Sequence, residues 1–382
     1  MKGIFLNRIK LMFVFGTRPE AIKLSPLILQ AHARNNKFET VAIATAQHRA
    51  MMDDVLSAFG IKPDADMNIM TPGQTLFMLT SRILSGMEKI MEQFQPDVVV
   101  VQGDTATAYT ASLAGYYARK KVAHVEAGLR TGNKWAPFPE EIYRKMISSI
   151  ADYHFAPTET SRQNLLKENY PDSAIHVTGN TVIDALLWME ERLRGAPCPL
   201  EDFAPVLERY KRLVLITGHR RENFGEPFLR ICTALREMAM KNPDVCFAYP
   251  VHLNPNVQKP VHAILEGIGN FFLLPPLSYP DFVWMMRKSC LIISDSGGVQ
   301  EEAPALSKPV LVTRRISERP EAIEAGVIKL VGDDTEKIIY ESQRLLDDPA
   351  YYKSMARGIS PYGDGRASER ILDILSGSLK VS

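Results

Sequence analysis

Short apolar runs alternate along the chain with stretches in which apolar residues recur every three or four positions, the pattern of strands followed by core-facing helices. Residues 9–15, 40–45, 97–101, 122–125 and 175–178 read as strands of a first sheet. Residues 213–217, 246–249, 270–274, 290–294, 309–313 and 328–331 read as strands of a second. Helical spacing runs through 75–94, 226–240 and 335–346. The alternation predicts an α/β chain of parallel βαβ units, not a sandwich or a bundle. Both periodicities lapse at 194–205, where Pro197, Pro199 and Pro205 accompany Gly195, so an interdomain linker is expected there. The amphipathic segment 367–379 follows a turn-rich stretch and suits packing on either domain.

A chain of 382 residues is the size of two domains. Its 45 Lys and Arg against 44 Asp and Glu leave a net charge of +1, so no broad basic field exists to hold nucleic acid or an anionic membrane. Any anionic partner must be met locally. Four scattered cysteines without a CxxC pair favour neither a disulfide framework nor a zinc knuckle. Apolar runs fall short of a bilayer's thickness, and Lys2, Arg8 and Lys10 interrupt any signal-like N-terminus, so a cytoplasmic protein is expected. Neither a Walker A loop nor a GxGxxG turn after a predicted strand is present, which argues against a nicotinamide enzyme of the usual Rossmann kind.

In open α/β sheets ligands bind beyond the carboxyl ends of the strands, so the strand-to-helix turns carry the candidate chemistry. Gly16-Thr17-Arg18-Pro19-Glu20 opens a helix bearing Lys23, and two cations near a helix N-terminus would attract phosphate. Asp104 follows one strand, Glu126 the next, and Glu140 lies in the loop onward, so three carboxylates from three adjacent turns are expected to meet in one crevice. Carboxylates so grouped acquire the separated pKa values that acid and base roles require. Singly, Asp104 reads equally as a helix cap, Glu126 as a loop ion pair and Glu140 as a first-turn acid.

In the second half, His219 ends a strand amid polar groups, where a proton-transferring or phosphate-binding imidazole would sit; a structural histidine is the alternative. Asp295-Ser296-Gly297-Gly298 leaves backbone amides uncovered at a helix start, an acid one turn on suits ribose hydroxyls, and Arg314, Arg315 and Arg319 follow the next strand. The set reads as a nucleotide-sugar site.

Gly16-Thr17-Arg18-Pro19-Glu20-Ala21-Ile22-Lys23, Thr45-Ala46-Gln47-His48-Arg49, Gly103-Asp104-Thr105, His124-Val125-Glu126-Ala127-Gly128-Leu129-Arg130-Thr131, Thr217-Gly218-His219-Arg220-Arg221-Glu222, His252-Leu253-Asn254-Pro255-Asn256 and Ser294-Asp295-Ser296-Gly297-Gly298 through Glu302 together resemble the bacterial non-hydrolysing UDP-N-acetylglucosamine 2-epimerases, in order and over nearly the whole chain. The resemblance implies a glycosyltransferase-B-like fold: two Rossmann-like domains with a central cleft, 1–190 carrying the catalytic carboxylates and 191–361 binding UDP. The C-terminal helix, about 362–382, is expected to pack back on the first. It further implies a cytoplasmic homodimer serving cell-surface polysaccharide biosynthesis, without NAD or metal, and no nucleic-acid or membrane partner.

By the same resemblance Asp104, Glu126, Glu140 and His219 are the catalytic set. Arg18, Lys23, Arg144, His219, Phe282, Ser296, Gly297, Gly298, Glu302 and Arg319 are substrate-binding positions, with Phe282 beside the uracil. Gln47 and His48 match a motif through which UDP-N-acetylglucosamine also acts as an allosteric activator. The alternatives on the same architecture are a retaining UDP-sugar glycosyltransferase, a hydrolysing epimerase, an epimerase of a modified sugar such as a uronic acid derivative, and a catalytically silent sensor.

The implied chemistry is constrained. The C2 hydrogen of the sugar has no neighbouring carbonyl, so direct deprotonation is out of reach. Breaking the C1–O bond to UDP first makes that proton acidic, giving a 2-acetamidoglucal, to which UDP re-adds after protonation from the other face.

Overall fold

A computed structural model describes residues 8–45, 49–71, 73–317 and 319–379. The chain forms two compact units, Met1–Trp188 with Tyr362–Ser382, and Met189–Pro361.

The first unit contains seven strands: β1 (Ile9–Phe15), β2 (Phe38–Ala44), β3 (Ala65–Asp66), β4 (Val98–Gln102), β5 (Lys121–Val125), β6 (Tyr153–Ala156) and β7 (Ile175–Val177). Their order across the sheet is β3-β2-β1-β4-β5-β6-β7 and every pair is parallel. Helices cover both faces of such a sheet, which is why Val98, Val99, Val100 and Val101 form an uninterrupted apolar run, all fully buried. β3 and β6 escape the sequence pattern. β3 spans two residues, and β6, Tyr153-His154-Phe155-Ala156, carries polar groups where a buried run was sought.

The second unit has six strands: β8 (Arg212–Thr217), β9 (Val245–Pro250), β10 (Phe271–Leu274), β11 (Leu291–Ser294), β12 (Val310–Val312) and β13 (Ile328–Leu330). Their order, β10-β9-β8-β11-β12-β13, is again wholly parallel. Two doubly wound parallel units in one chain are the glycosyltransferase-B-like plan. Strand order reverses direction between β1 and β4 in one sheet and between β8 and β11 in the other, the switch points where ligands dock.

The proline-rich stretch 194–205 lies inside the second unit, where Trp284 Nε1 donates to Ala196 O at 3.3 Å. The change of unit falls within the helix Thr181–Arg192, between Trp188 and Met189. The last helix, Ala367–Ser378, belongs to the first unit. Buried Asp184 accepts from Ala367 N at 3.2 Å and Ser368 N at 2.7 Å and so caps it, while Arg34 Nη1 reaches Asp373 at 2.6 Å.

Candidate active site

In the first unit β1 runs into the helix Arg18–Ala33, with Thr17 at the N-cap and Pro19 in the first turn, where its missing N–H costs nothing. A Cβ on Gly16 would stand 2.2 Å from Thr45 Oγ1 and 2.4 Å from Thr107 Oγ1, so only glycine fits this close approach. Arg18 begins the helix and Lys23 lies on it.

β4 delivers Asp104 through Gly103, at φ +72, and Thr105 then caps the helix Ala106–Tyr117 by accepting from Ala108 N at 2.9 Å. β5 delivers Glu126, itself at φ +66. Glu140 opens the helix Glu140–Ile150. Glu126 and Glu140 therefore sit at the two ends of one connection, and the three acids come from two turns rather than three. The expectation gave Glu140 a turn of its own, but 127–139 holds no strand to separate it from Glu126.

These acids differ in how their oxygens are used. Glu126, 7% exposed, accepts on Oε1 from Lys23 Nζ at 2.6 Å and Asn180 Nδ2 at 2.9 Å, and on Oε2 from Gln102 Nε2. Asp104 Oδ2 is gripped by Arg144 through Nε at 2.8 Å and Nη2 at 2.7 Å. Arg144 also reaches Glu141 at 3.2 Å, and Glu141 accepts from Thr131 N at 3.1 Å and Gly132 N at 3.0 Å. Glu140 keeps Oε2 buried with no hydrogen-bond partner among the described residues. Arg144 stands one helical turn beyond Glu140, so the guanidinium holding Asp104 also ties that turn to Glu140's helix. Glu126 Oε2 lies beside Gly103, 3.6 Å from where a Cβ would be.

Two further buried groups set the turns. Glu20, fully buried, accepts on Oε2 from Gly16 N at 3.0 Å, Thr17 N at 2.8 Å and Thr17 Oγ1 at 2.7 Å, and on Oε1 from Thr105 Oγ1 at 2.5 Å. It thereby fastens the turn after β1 to the turn after β4. Burial raises its pKa to about 7 against the opposing pull of these donors. His124 Nε2 donates to Gly103 O at 2.7 Å; a carbonyl only accepts, so Nε2 carries the hydrogen and Nδ1 is left buried without a partner among the described residues. Burial, with smaller contributions from His154 and Arg130, pushes its pKa down to about 3.

In the second unit His219 follows β8 and Gly218, its side chain 39% exposed. Its ring stacks on His252, centroids 5.4 Å apart at 16°. Burial holds its pKa below the usual histidine value, Asp295 opposes, and Arg220 and His252 act with burial. After β11 the chain passes Asp295 and Ser296 into the helix Gly297–Ala305. A Cβ on Gly297 would stand 3.4 Å from Arg220 Nη2 and 3.9 Å from Arg319 Nη2, so two guanidinium groups flank that helix start.

Arg319 pairs with buried Glu301 through Nε, Arg314 with Glu222 at 2.5 Å and Arg315 with Asp333 at 2.9 Å, so each of the three arginines has its own acid. Glu302 is buried and accepts from Tyr279 Oη at 3.0 Å, beside Gly298. Phe282 is half-buried on the helix Tyr279–Lys288. Gln47 and His48 lie outside the described residues.

Sequence reasoning passed over Glu20, Gln102, Asn180, Glu141, His124, Tyr279 and Asp295. Glu20 had a signal, since Thr17-Arg18-Pro19-Glu20 is a capping box. Asn180 and Tyr279 reach their acids from distant segments, and no local pattern announces that.

The UDP-N-acetylglucosamine 2-epimerase family model matches residues 30–376. The UDP-N-acetylglucosamine 2-epimerase of Yersinia pestis is 53% identical over 96% of this chain and 98% of its own length. The crystal structure of the Neisseria meningitidis UDP-GlcNAc 2-epimerase bound to UDP-GlcNAc superposes with a TM-score of 0.90 at 47% identity, covering 96% of this chain and 99% of that one. The Methanocaldococcus jannaschii UDP-GlcNAc 2-epimerase in complex with UDP-GlcNAc and UDP gives a TM-score of 0.80 at 34% identity, covering 97% and 100%.

Proposed function

The chain belongs to the UDP-N-acetylglucosamine 2-epimerase family, and we propose that it interconverts UDP-N-acetylglucosamine and UDP-N-acetylmannosamine by eliminating UDP and adding it back. The C1–O bond breaks with its electron pair leaving on the diphosphate. A carboxylate takes the C2 proton, and the C2–H electrons form the C1=C2 bond of a 2-acetamidoglucal. An acid then delivers a proton to the opposite face of C2 while the diphosphate oxygen re-bonds to C1. His219 and the amides of the 296–298 turn stabilise the charge that develops on the diphosphate.

The observation that carries this reading is the unequal use of the three carboxylates. Glu126 has both oxygens committed to a lysine and two amides, which suits a fixed anion facing positive charge at C1. Asp104, paired with Arg144 yet partly exposed, suits the base, and Glu140, with an oxygen left unpartnered, suits the group that carries a proton. Proton NMR with UDP-N-acetylglucosamine in deuterium oxide tests it. The product should gain one deuterium at C2; retention of the original hydrogen overturns the mechanism.

The active form in this reading is a cytoplasmic homodimer. No helix among the described residues is long and apolar enough to cross a membrane. Self-association is supported by apolar surface on the first unit, with Phe77 88%, Tyr116 61% and Tyr117 65% exposed, and light scattering tests it. UDP-N-acetylglucosamine acting as its own activator would give sigmoidal rate curves, which Gln47→Ala should make hyperbolic.

A further inference from the structure

Asp295 stands at the switch point of the second sheet, directly after β11 and directly before Ser296, and is 0% exposed. Its carboxylate reaches across to the turn after β8. Oδ2 accepts from His219 N at 3.0 Å, Arg220 N at 2.9 Å and Asn223 Nδ2 at 3.1 Å, and Oδ1 lies 3.6 Å from His219 Nδ1. Asn223 extends the tie by donating to Thr313 O at 3.0 Å, beyond β12.

Removing a carboxylate from water is costly, and among the described residues no lysine or arginine lies within ion-pair distance to offset that cost here. The donors are two backbone amides and one side-chain amide, with the His219 imidazole near by at ion-pair distance. An asparagine could satisfy part of that set. What only a carboxylate adds is negative charge beside the ring, with Oδ1 3.6 Å from Nδ1, which favours the protonated imidazole. The other charged or titratable groups facing the ring are Arg220, next in sequence, and the stacked His252 from the turn after β9, and both oppose a positive imidazole.

The geometry points to Asp295 as the positioning residue of the diphosphate-binding end: it locks the 218–223 turn against the 296–298 turn and supplies the counter-charge that lets His219 meet a diphosphate as an imidazolium. This rests on the reading of His219 as a diphosphate ligand.

The test uses the full-length protein, Asp295→Asn and His219→Asn, with UDP as probe. UDP affinity is measured by calorimetry from pH 6 to 8.5. The His219 ring is followed by NMR with histidine-labelled protein, its signal among the eight histidines assigned by its loss in His219→Asn. In Asp295→Asn the His219 titration midpoint should fall by about one unit, the scale for losing an opposite charge nearby. UDP should bind about tenfold more weakly near neutral pH, with the deficit shrinking toward pH 6.

A purely structural carboxylate would lower thermal stability but leave the His219 midpoint in place. That outcome, or UDP affinity within twofold of the unsubstituted protein, overturns the proposal. Unchanged UDP affinity in His219→Asn overturns instead the assignment of His219 on which it stands.

Discussion

Lys23 Nζ and Glu126 Oε1 lie 2.6 Å apart although 103 positions separate them in the chain, and both side chains are nearly enclosed, 13% and 5% exposed. The pair joins the helix after β1 to the end of β5, across the intervening β4. Breaking such a pair from one side strands a buried charge, whereas removing both partners does not. Lys23→Met should therefore cost about 3–5 kcal/mol of stability. Lys23→Met with Glu126→Gln should recover most of that loss while remaining inactive. Denaturant unfolding and an epimerase assay measure the two separately; a double variant as unstable as the single one would contradict the pairing argument.

Glu20 predicts a dependence of stability on pH. Folded, it keeps its proton to about pH 7; unfolded, it releases it near 4.5. Between those values the folded state binds more protons, so stability falls as pH rises through the window, by about 3 kcal/mol in all. Glu20→Gln has no such proton to lose. Its unfolding midpoint relative to the parent should climb from pH 4.5 to pH 7, and a constant difference would disprove the assignment.

His124 has the opposite sign. It is held neutral down to about pH 3 in the folded state but takes a proton near 6.5 when unfolded. Its contribution is complete above pH 6.5 and is lost as pH falls toward 3. His124→Gln, whose amide can still donate to Gly103 O, should flatten the acid limb of the stability curve. From 4.5 to 6.5 this residue and Glu20 pull against each other, so the single variants should diverge there in opposite directions.

Unequal roles for the acids predict unequal damage. Asp104→Asn and Glu140→Gln should each reduce turnover about a hundredfold or more while leaving the fold intact. Glu126→Gln should reduce turnover comparably but also lower stability, because it removes the buried negative charge facing Lys23. Rates by NMR and melting temperatures by calorimetry separate these; near-normal activity in all three variants would remove the acids from the mechanism.

Arg144 connects Asp104 to Glu141 and to the helix that begins at Glu140. Lysine keeps the charge but cannot reproduce two parallel N–H contacts. Arg144→Lys should lower kcat about tenfold or more with little change in KM, a scale set by the loss of charge-assisted hydrogen bonds. An equal change in both parameters would indicate a direct substrate contact instead.

Much of this site is legible before folding. A parallel sheet buried on both faces forces its strands to be apolar runs, so strands such as 98–102 end visibly, and Asp104, Glu126 and His219 announce themselves as the first polar groups beyond those ends, with Ser296 one position past Asp295. Thr17 and Glu20 announce a capping box for the same local reason. β6 stays hidden because it is only four residues long and carries a buried histidine, His154, in place of an apolar residue.

Sequence by itself determined the α/β class, the parallel units and the turns that carry the chemistry, because periodicity, capping and turn formation depend on residues within a few positions of one another. Which acid is fully bound, which keeps an unpartnered oxygen, and which buried carboxylates fasten neighbouring turns were decided only by the tertiary structure. Those properties depend on donors brought from tens to more than a hundred residues away, as Lys23, Asn180 and Arg144 show, and on a burial that exists only once the sheets are assembled.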